Sequence, residues 1–189
     1  MSNLENAKIL IMSTNGFEQT ELEYPLEHLT KAGATVHVAT PDGNAIKGWD
    51  KDDWGHSVDA DMKISDVKVD DYIALVLPGG QINPDLLRVN REAVQLVRDF
   101  VTGDKIVAAI CHAPWLLIEA GVIKGREATS YHSIRTDMEN AGARWKDSEI
   151  VIDNGIITSR SPEDLEAFVS KIIEEVSEGE HHRKSVRAA

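Results

Sequence analysis

The chain contains a single cysteine, which lies where an apolar run ends and a helix is expected to begin. Ala109 and Ala113, two positions to either side of Cys111, are small enough for the close backbone approach of a sharp strand-to-helix turn. Pro114 suits the first turn of that helix. A thiol at a helix N-terminus has its thiolate stabilised by the helix dipole and free N–H groups, so the pattern predicts a reactive nucleophile. The alternative is a structural cysteine that packs like a small apolar side chain.

A cysteine nucleophile needs a proton shuttle and a site for an oxyanion. His112 follows Cys111 directly and can exchange protons near neutral pH, although neighbours at a turn often point apart and His112 could simply fill it. Gly79 and Gly80 follow an apolar run, and their backbone N–H groups could point at an oxyanion. The alternative for this pair is an ordinary glycine-rich turn.

Two acidic residues, Glu18 and Glu21, follow the first apolar run. A carboxyl group buried beside Cys111 would have a raised pKa and could donate a hydrogen bond to sulfur. Acidic residues are also common at exposed helix starts. The spacing alone does not separate the two residues or the two roles.

Composition indicates a compact α/β protein without a membrane span. The chain has 189 residues, a formal net charge of −12 and one cysteine. This length supports one sizeable core, and no apolar stretch reaches the roughly 20 residues that a membrane helix needs. The start of the chain lacks the features of a signal peptide, and one cysteine cannot form an internal disulfide, so we expect a reducing cytoplasm. The acidic balance disfavours direct binding of nucleic acid, and no membrane partner is expected.

Strand patterns alternate with helical patterns along the chain, which predicts a mainly parallel sheet with helices on both faces. The predicted strands are 8–13, 35–40, 72–77 and 106–110, with a short one at 128–131 and a hairpin at 150–158 around Asn154-Gly155. The predicted helices are 19–32, 92–101, 115–120, 134–141 and 161–177, the last with Ser161 as its N-cap. The segment 44–61, rich in Gly, Asp and Trp, is interpreted as a surface excursion that forms a hairpin.

We therefore predict one domain over residues 1–178, followed by a disordered tail at 179–189. His181 and His182 lie in that tail and are expected to be solvated rather than to bind a metal. The sequence predicts no metal site and no cofactor. Binding sites in such sheets form beyond the carboxyl ends of the strands, where Glu18, Gly79 and Cys111 would meet.

Several segments carry a resemblance to a known family. The segment Ala108–Leu117 resembles the Cys-His core of the PfpI family, the superfamily of intracellular protease I and deglycases of the general-stress-protein type. The match continues, in order, through 16–22, 77–80, 83–90, 129–142 and 154–162, and it covers roughly 8–175. The resemblance implies a flavodoxin-like, three-layer α/β sandwich with a strand-to-helix nucleophile elbow.

The same resemblance implies roles for individual residues. Cys111 would be the nucleophile and His112 its partner, oriented by an acidic residue of a neighbouring subunit. By its place in the motif that residue is Asp85, where many members carry the longer glutamate. Spacing from Gly16 favours Glu21 as the acid that contacts the thiol.

The resemblance further implies that Gly80 and the His112 backbone N–H form the oxyanion site. Trp115 and His132 are candidates for lining the pocket, with packing roles as the alternative. If Asp85 acts on a neighbouring subunit, the protein is a homo-oligomer, and we expect a homodimer rather than a larger ring.

Three functions compete. The first is a cofactor-free glyoxalase or deglycase that protects against stress by acting on small reactive carbonyls or early protein adducts. The second is an intracellular cysteine peptidase, which needs the same groups and a longer groove. The third is a non-enzymatic redox sensor or chaperone that works through oxidation of Cys111.

Overall fold

The computed structural model describes residues 4–179. The strands are β1 (Lys8–Met12), β2 (Phe17–Glu18), β3 (Thr35–Thr40), β4 (Ile46–Asp50), β5 (Asp53–Val58), β6 (Met62–Lys63), β7 (Ala74–Leu77), β8 (Ile106–Ile110), β9 (Glu127–Ala128), β10 (Arg144–Trp145), β11 (Ile150–Asp153) and β12 (Ile156–Ser159). The α-helices are α1 (Gln19–Lys31), α2 (Ile82–Arg88), α3 (Arg91–Thr102), α4 (Pro114–Glu119), α5 (Arg135–Asn140) and α6 (Leu165–Glu178). Short 3₁₀ turns lie at Ile64–Asp66, Val69–Asp71, His132–Ile134 and Pro162–Asp164.

The central sheet has seven strands in the order β11-β12-β8-β7-β1-β3-β6. All neighbours in it are parallel except β11 and β12, which form the predicted Asn154-Gly155 hairpin. Strands β7 and β8 are buried along their whole length, as expected of near-continuous apolar runs covered on both faces.

Two apolar cores lie on opposite faces of this sheet because successive strand side chains point to opposite sides. On one face, Ile9 and Ile11 of β1 pack with residues of α1 and α6. On the other, Leu10 and Met12 of the same strand pack with residues of α3, α4 and α5. The predicted three-layer, flavodoxin-like α/β sandwich is thereby confirmed.

A second, smaller sheet joins the start of α1 to the segment predicted as a surface hairpin. Strands β4 and β5 pair antiparallel, and β2 pairs parallel with β4 through Phe17–Gly48 and Glu18–Trp49. Trp49 meets Trp54 edge to face, with 5.4 Å between ring centroids. This pairing fixes the hairpin beside the carboxyl edge of the central sheet.

Some predicted boundaries were wrong. The expected strand 128–131 is only Glu127–Ala128 and pairs with β10 outside the central sheet, because the backbone N–H of Thr129 donates to the Thr158 hydroxyl instead of to a ladder carbonyl. The expected helix 161–177 begins with a 3₁₀ turn, and α6 starts only at Leu165. Ser161 makes no capping bond, since its hydroxyl interacts with the Glu163 carboxylate.

The remaining expectations concern the ends of the chain. Of the tail predicted at 179–189, only Gly179, which follows α6, belongs to the described residues, and 180–189 with its two histidines lies outside them. Within the described range, no helix is both long and apolar enough to cross a membrane.

Candidate active site

Cys111 occupies the predicted elbow between β8 and α4, with a φ of 64°. This left-handed conformation is uncommon for a residue with a side chain and persists only where neighbours hold it. Here the Cys111 N–H donates to Ser159 O at 3.1 Å, and its carbonyl accepts from the Tyr131 N–H at 2.8 Å. Pro114 opens α4 as expected. The elbow therefore projects the thiol from the carboxyl edge of the sheet.

Four groups surround the sulfur atom, which belongs to a side chain only 6 % exposed. The backbone N–H groups of Gly80 and His112 donate toward Sγ, and the Glu21 carboxyl group lies within hydrogen-bonding reach. The His112 Nδ1 atom lies 3.2 Å from Sγ. Adjacent residues at the turn do meet here, so the imidazole can exchange a proton with the thiol.

The two glycines after β7 have different partners. The Gly80 N–H serves the sulfur, whereas the Gly79 N–H donates to Glu21 Oε2 at 2.9 Å. The expectation that both N–H groups face an oxyanion was therefore wrong for Gly79. Gly80 has a φ of +79°, and a Cβ there would lie 2.7 Å from Gly16 O. Gly80 therefore requires glycine because of its backbone conformation. Gly79 requires glycine because a Cβ there would lie 2.5 Å from Glu21 Oε2.

Glu21, rather than Glu18, is the acid at the thiol. It is completely buried, and burial together with the nearby Glu18 charge raises the pKa of Glu21 to about 8. Its carboxyl group is consequently protonated at neutral pH and can donate a hydrogen bond to sulfur. Its Oε1 atom has no hydrogen-bond partner among the described residues. Glu18 is half-buried at the cleft, where burial and then the Asp50 charge raise its pKa.

The thiol and this carboxyl group titrate as a pair. Burial raises the pKa of the Cys111 thiol, and an ionised Glu21 raises it further by repulsion. The backbone N–H groups of Gly80 and His112 act in the opposite direction because they favour the thiolate. Protonation of Glu21 removes this repulsion, so the thiolate forms more readily beside a protonated Glu21 than beside an ionised one.

His112 is a neutral base at physiological pH. Its ring is 4 % exposed, and burial, helped by His132, lowers the pKa of His112 to about 4. The ring stacks on Tyr131 with 4.9 Å between centroids and meets Trp115 at 5.2 Å. Its Nε2 atom lies 3.0 Å from the Ser133 hydroxyl. Packing and this hydrogen bond fix the orientation that presents Nδ1 to Cys111.

Asp85 is expected to orient the His112 ring of a neighbouring subunit rather than that of its own chain. It is exposed on α2 and makes no hydrogen bond to His112 within the described chain. Within the chain, the partner of His112 Nε2 is Ser133, which sequence reasoning missed. The signal for it lay in the segment 129–142, where we considered His132 but not the hydroxyl beside it. His132 itself is exposed and contacts the Tyr131 ring.

A cleft of about 470 Å³ opens above the sulfur. Its lining comes from six stretches of chain: Gly16, Glu18 and Glu21; Trp49 and Lys51; Gly80–Ile82; Cys111 and His112; Tyr131; and Ser161–Glu163. Glu18 and Glu163 give its walls negative charge, and Lys51 adds one positive charge. Trp115 and His132, expected as pocket residues, do not line it. Trp115 supports the His112 ring from outside and donates its indole N–H to Asp137 Oδ2 at 2.8 Å.

One group of carboxylates among the described residues is close enough to share a metal ion. It consists of Glu174, Glu175 and Glu178 at the end of α6 farthest from the cleft. Lys171 already pairs with Glu174 and Glu175 at 2.9 and 3.0 Å. The groups around Cys111 contain no such arrangement within residues 4–179.

Replacing Ser133 with alanine is expected to lower kcat about tenfold with little change in KM, since His112 loses the hydrogen bond that holds its ring in place. The measurement is steady-state turnover of a small carbonyl substrate by Ser133→Ala beside Ser65→Ala, an exposed serine whose hydroxyl donates to Asp66 Oδ1 at 3.5 Å. An unchanged kcat in Ser133→Ala together with a fall in Asp85→Ala would show that a carboxylate from another subunit orients the imidazole instead.

Comparison with known proteins identifies the family to which this fold and this cysteine site belong. Residues 7–175 match the model of the DJ-1/PfpI family. The chain therefore belongs to the DJ-1/PfpI family.

Individual relatives match over nearly their whole length. The chain is 44 % identical over 166 residues to Deglycase PfpI of Pyrococcus furiosus, covering 88 % of this chain and 97 % of that protein. It is 41 % identical over 162 residues to the putative cysteine protease YraA of Bacillus subtilis, covering 85 % and 93 %. The crystal structure of Drosophila melanogaster DJ-1beta superposes with a TM-score of 0.83 at 31 % identity and covers 90 % of both chains.

Proposed function

We propose that this DJ-1/PfpI protein is a cysteine-dependent enzyme that converts reactive 2-oxoaldehydes, free or as early adducts on amines, into 2-hydroxy acids. The observation that carries the proposal is the set of groups on one sulfur atom. Cys111 Sγ faces two backbone N–H donors, a protonated buried carboxyl group and a neutral imidazole at 3.2 Å. The cleft above it, about 470 Å³, is the size of a small-molecule site.

The first step is addition to the aldehyde. The Cys111 thiolate forms a carbon–sulfur bond with the aldehyde carbon, and the π electrons of the carbonyl move onto its oxygen. The N–H groups of Gly80 and His112, which favour negative charge on sulfur, are placed to stabilise the developing oxyanion. Glu21, protonated at neutral pH, supplies the proton that completes the hemithioacetal.

The second step transfers a proton between the two carbons. Neutral His112 removes the hydrogen from the carbon bonded to sulfur as a proton, and the imidazolium passes that proton to the neighbouring ketone oxygen, which gives an enediol. The hydroxyl proton of the first carbon then moves through His112 to the second carbon, which leaves a thioester of the 2-hydroxy acid. The first carbon is oxidised and the second is reduced by the same electron pair, so no external oxidant is consumed. Water then cleaves the thioester, releases the acid and restores the Cys111 thiol.

An adduct on an amine enters the same sequence. The thiolate attacks the carbinolamine carbon, the amine leaves with a proton, and the same hemithioacetal results. The name of the relative Deglycase PfpI supports this substrate class for the chain. The cleft, which the hairpin residues Trp49 and Lys51 help to line, is open to solvent, so that a small adduct on a larger molecule can enter.

We further propose that the protein works as a homodimer in which Asp85 acts on the neighbouring subunit. Ile82 and Leu86 of helix α2 and Val89, which caps its C-terminal end, are 37, 49 and 80 % exposed at helical spacing, and Asp85 lies on the same helix. A second copy would cover this apolar stripe and bring Asp85 toward a new partner. A reducing cytoplasm, which keeps Cys111 as a thiol, is the compartment that fits this chemistry.

Two alternatives share the same sulfur. A cysteine peptidase is supported by the name of the relative YraA, and it would bind an extended chain rather than a small carbonyl. A redox sensor is supported by the donors around Cys111, because Glu21, Gly80 and His112 would equally stabilise the oxygens of a sulfinate. A sensor that stops at the sulfenic acid would need an external thiol for recovery, since the chain has no second cysteine to resolve it.

The test is formation of lactate from methylglyoxal by the wild-type chain and by Cys111→Ala, in amine-free buffer, with the intact mass of both proteins recorded. We expect many turnovers for wild type and none for Cys111→Ala; an arm with methylglyoxal bound to N-acetylarginine tests the adduct. Absence of lactate would overturn the proposal. Cleavage of an unfolded protein would then indicate the peptidase, and gain of two oxygens at Cys111 in dilute peroxide would indicate the sensor.

A further inference from the structure

Asn83, in the first turn of α2, is completely buried, and both its side-chain oxygen and its side-chain nitrogen form hydrogen bonds with two different loops. Its Oδ1 accepts from the Thr14 N–H at 2.8 Å and from the Ser13 hydroxyl at 3.2 Å. Its Nδ2 donates to Pro78 O at 2.8 Å and to the Gly79 carbonyl at 3.2 Å. One amide therefore joins the loop after β1 to the loop after β7.

The carbonyls that Asn83 holds belong to the two peptide groups whose N–H donors serve the site. In a planar trans peptide the C=O and N–H bonds point in opposite directions, so fixing one fixes the other. The first peptide group ends in the Gly79 N–H, which donates to Glu21 Oε2 at 2.9 Å. The second ends in the Gly80 N–H, which favours negative charge on Cys111 Sγ.

We propose that Asn83 is the positioning residue of this active site: its amide orients the 78–79 and 79–80 peptide groups so that their N–H bonds hold Glu21 and the nucleophilic sulfur. Asn83 touches neither substrate nor sulfur. Its part in turnover rests on the proposed function, whereas its effect on the state of Cys111 does not.

The carboxylate variant separates this role from simple packing. Asn83→Asp has almost the same shape and keeps the acceptor for Thr14 and Ser13, but it replaces the NH₂ group with an oxygen. That oxygen faces two carbonyls, and even a protonated carboxyl group could donate to only one of them. Asn83→Ala removes both sets of bonds. Asn90→Ala is the matched control, because Asn90 caps α3 through the N–H groups of Glu92 and Ala93 at 2.9 and 3.1 Å, away from the cleft.

The experiment measures the rate of iodoacetamide alkylation against pH, which reports the thiolate fraction of the chain's one cysteine. We expect the midpoint to rise by about one pH unit in Asn83→Asp and Asn83→Ala, since the Gly80 N–H group, which favours the thiolate, is no longer held in place. We expect no change in Asn90→Ala. In a methylglyoxal assay, kcat should fall about tenfold in both Asn83 variants with little change in KM.

Two results would overturn the proposal. One is that Asn83→Asp keeps the alkylation midpoint of the wild-type chain. Its only defect would then be a loss of thermal stability similar to that of Asn90→Ala. The other, available if both variants fail to fold, is fast hydrogen exchange at the Gly79 and Gly80 amides of the wild-type chain, which would show that these peptide groups are not fixed. A wild-type chain that turns over no carbonyl would remove the proposed function, while the alkylation midpoint would still decide the role of Asn83.

Discussion

Replacing Gly79 with alanine is expected to abolish turnover and to destabilise the fold. A Cβ at this position would lie 2.5 Å from Glu21 Oε2, 2.6 Å from Cys111 Cβ and 2.7 Å from Ile110 O. Real Cβ atoms essentially never come closer than 3.0 Å to such neighbours, so the carboxyl group, the nucleophile or β8 must move. Overpacking in a tight core costs roughly 1–3 kcal/mol, and displacement of the catalytic groups by a fraction of an ångström should lower kcat at least about a hundredfold.

The matched control for this variant is Gly103→Ala. Gly103 also has an ordinary negative φ of −82° and follows α3, where a Cβ would come no closer than 3.0 Å to Asp99 O. Chemical denaturation and methylglyoxal turnover on both variants check the expectation. A folded Gly79→Ala with wild-type kcat would show that the site tolerates displacement of Glu21 and Cys111. A steric clash would then not be the reason why position 79 is a glycine.

Replacing Glu21 with glutamine is expected to change how stability depends on pH. The pKa of Glu21 is about 8 in the folded protein against 4.5 when unperturbed, so between these values the folded chain binds a proton that the unfolded chain has released. The contribution of Glu21 to the free energy of unfolding is full below pH 4.5 and is lost as pH rises toward 8. Relative to wild type, Glu21→Gln should therefore gain about 1.4 kcal/mol per pH unit across this window.

This comparison is made by urea denaturation from pH 5 to 9 in a Cys111→Ala background, so that titration of the thiol does not contribute. Glu92→Gln, at an exposed position in the first turn of α3, is the control and should follow the parent at every pH. Parallel curves for Glu21→Gln and its parent would mean that Glu21 is ionised in the folded state. The proposed proton donation to the oxyanion would then need another group.

His112 acts on stability in the opposite direction. Its pKa is lowered to about 4 from 6.5, so its contribution to the free energy of unfolding is present above pH 6.5 and is lost as pH falls toward 4. Glu21 and His112 together narrow the range of greatest stability from both sides. The narrower pH range of stability follows from keeping both an uncharged base and an uncharged acid beside one thiol.

Much of the catalytic arrangement could be predicted because its signals are local. The apolar run of β8, the small residues around Cys111 and the proline after it all act within ten residues, and the structure places the elbow there. The alternation of strands and helices likewise predicted the layers. Local signals fix backbone direction well because each element satisfies its own hydrogen bonds.

The features of the site that the sequence does not predict depend on contacts between distant segments. Whether Glu18 or Glu21 faces the thiol depends on the rotation of α1, which is set where β2 pairs with the hairpin strand β4. The contact of Ser133 with His112 depends on the path of the loop after β9, held by the Tyr131 N–H on the Cys111 carbonyl. No periodicity within either segment carries this information.

The site divides into two parts that differ in how freely they can vary during evolution. The groups that ionise and hold the sulfur lie at the ends of β7 and β8, where the backbone is tightly packed and a Cβ at Gly79 or Gly80 would clash with its neighbours. The cleft wall that carries Trp49 and Lys51 belongs to a hairpin outside the central sheet, where it pairs with the short strand β2. Lineages could therefore exchange this wall, and with it the molecules that enter, while the nucleophile stays the same.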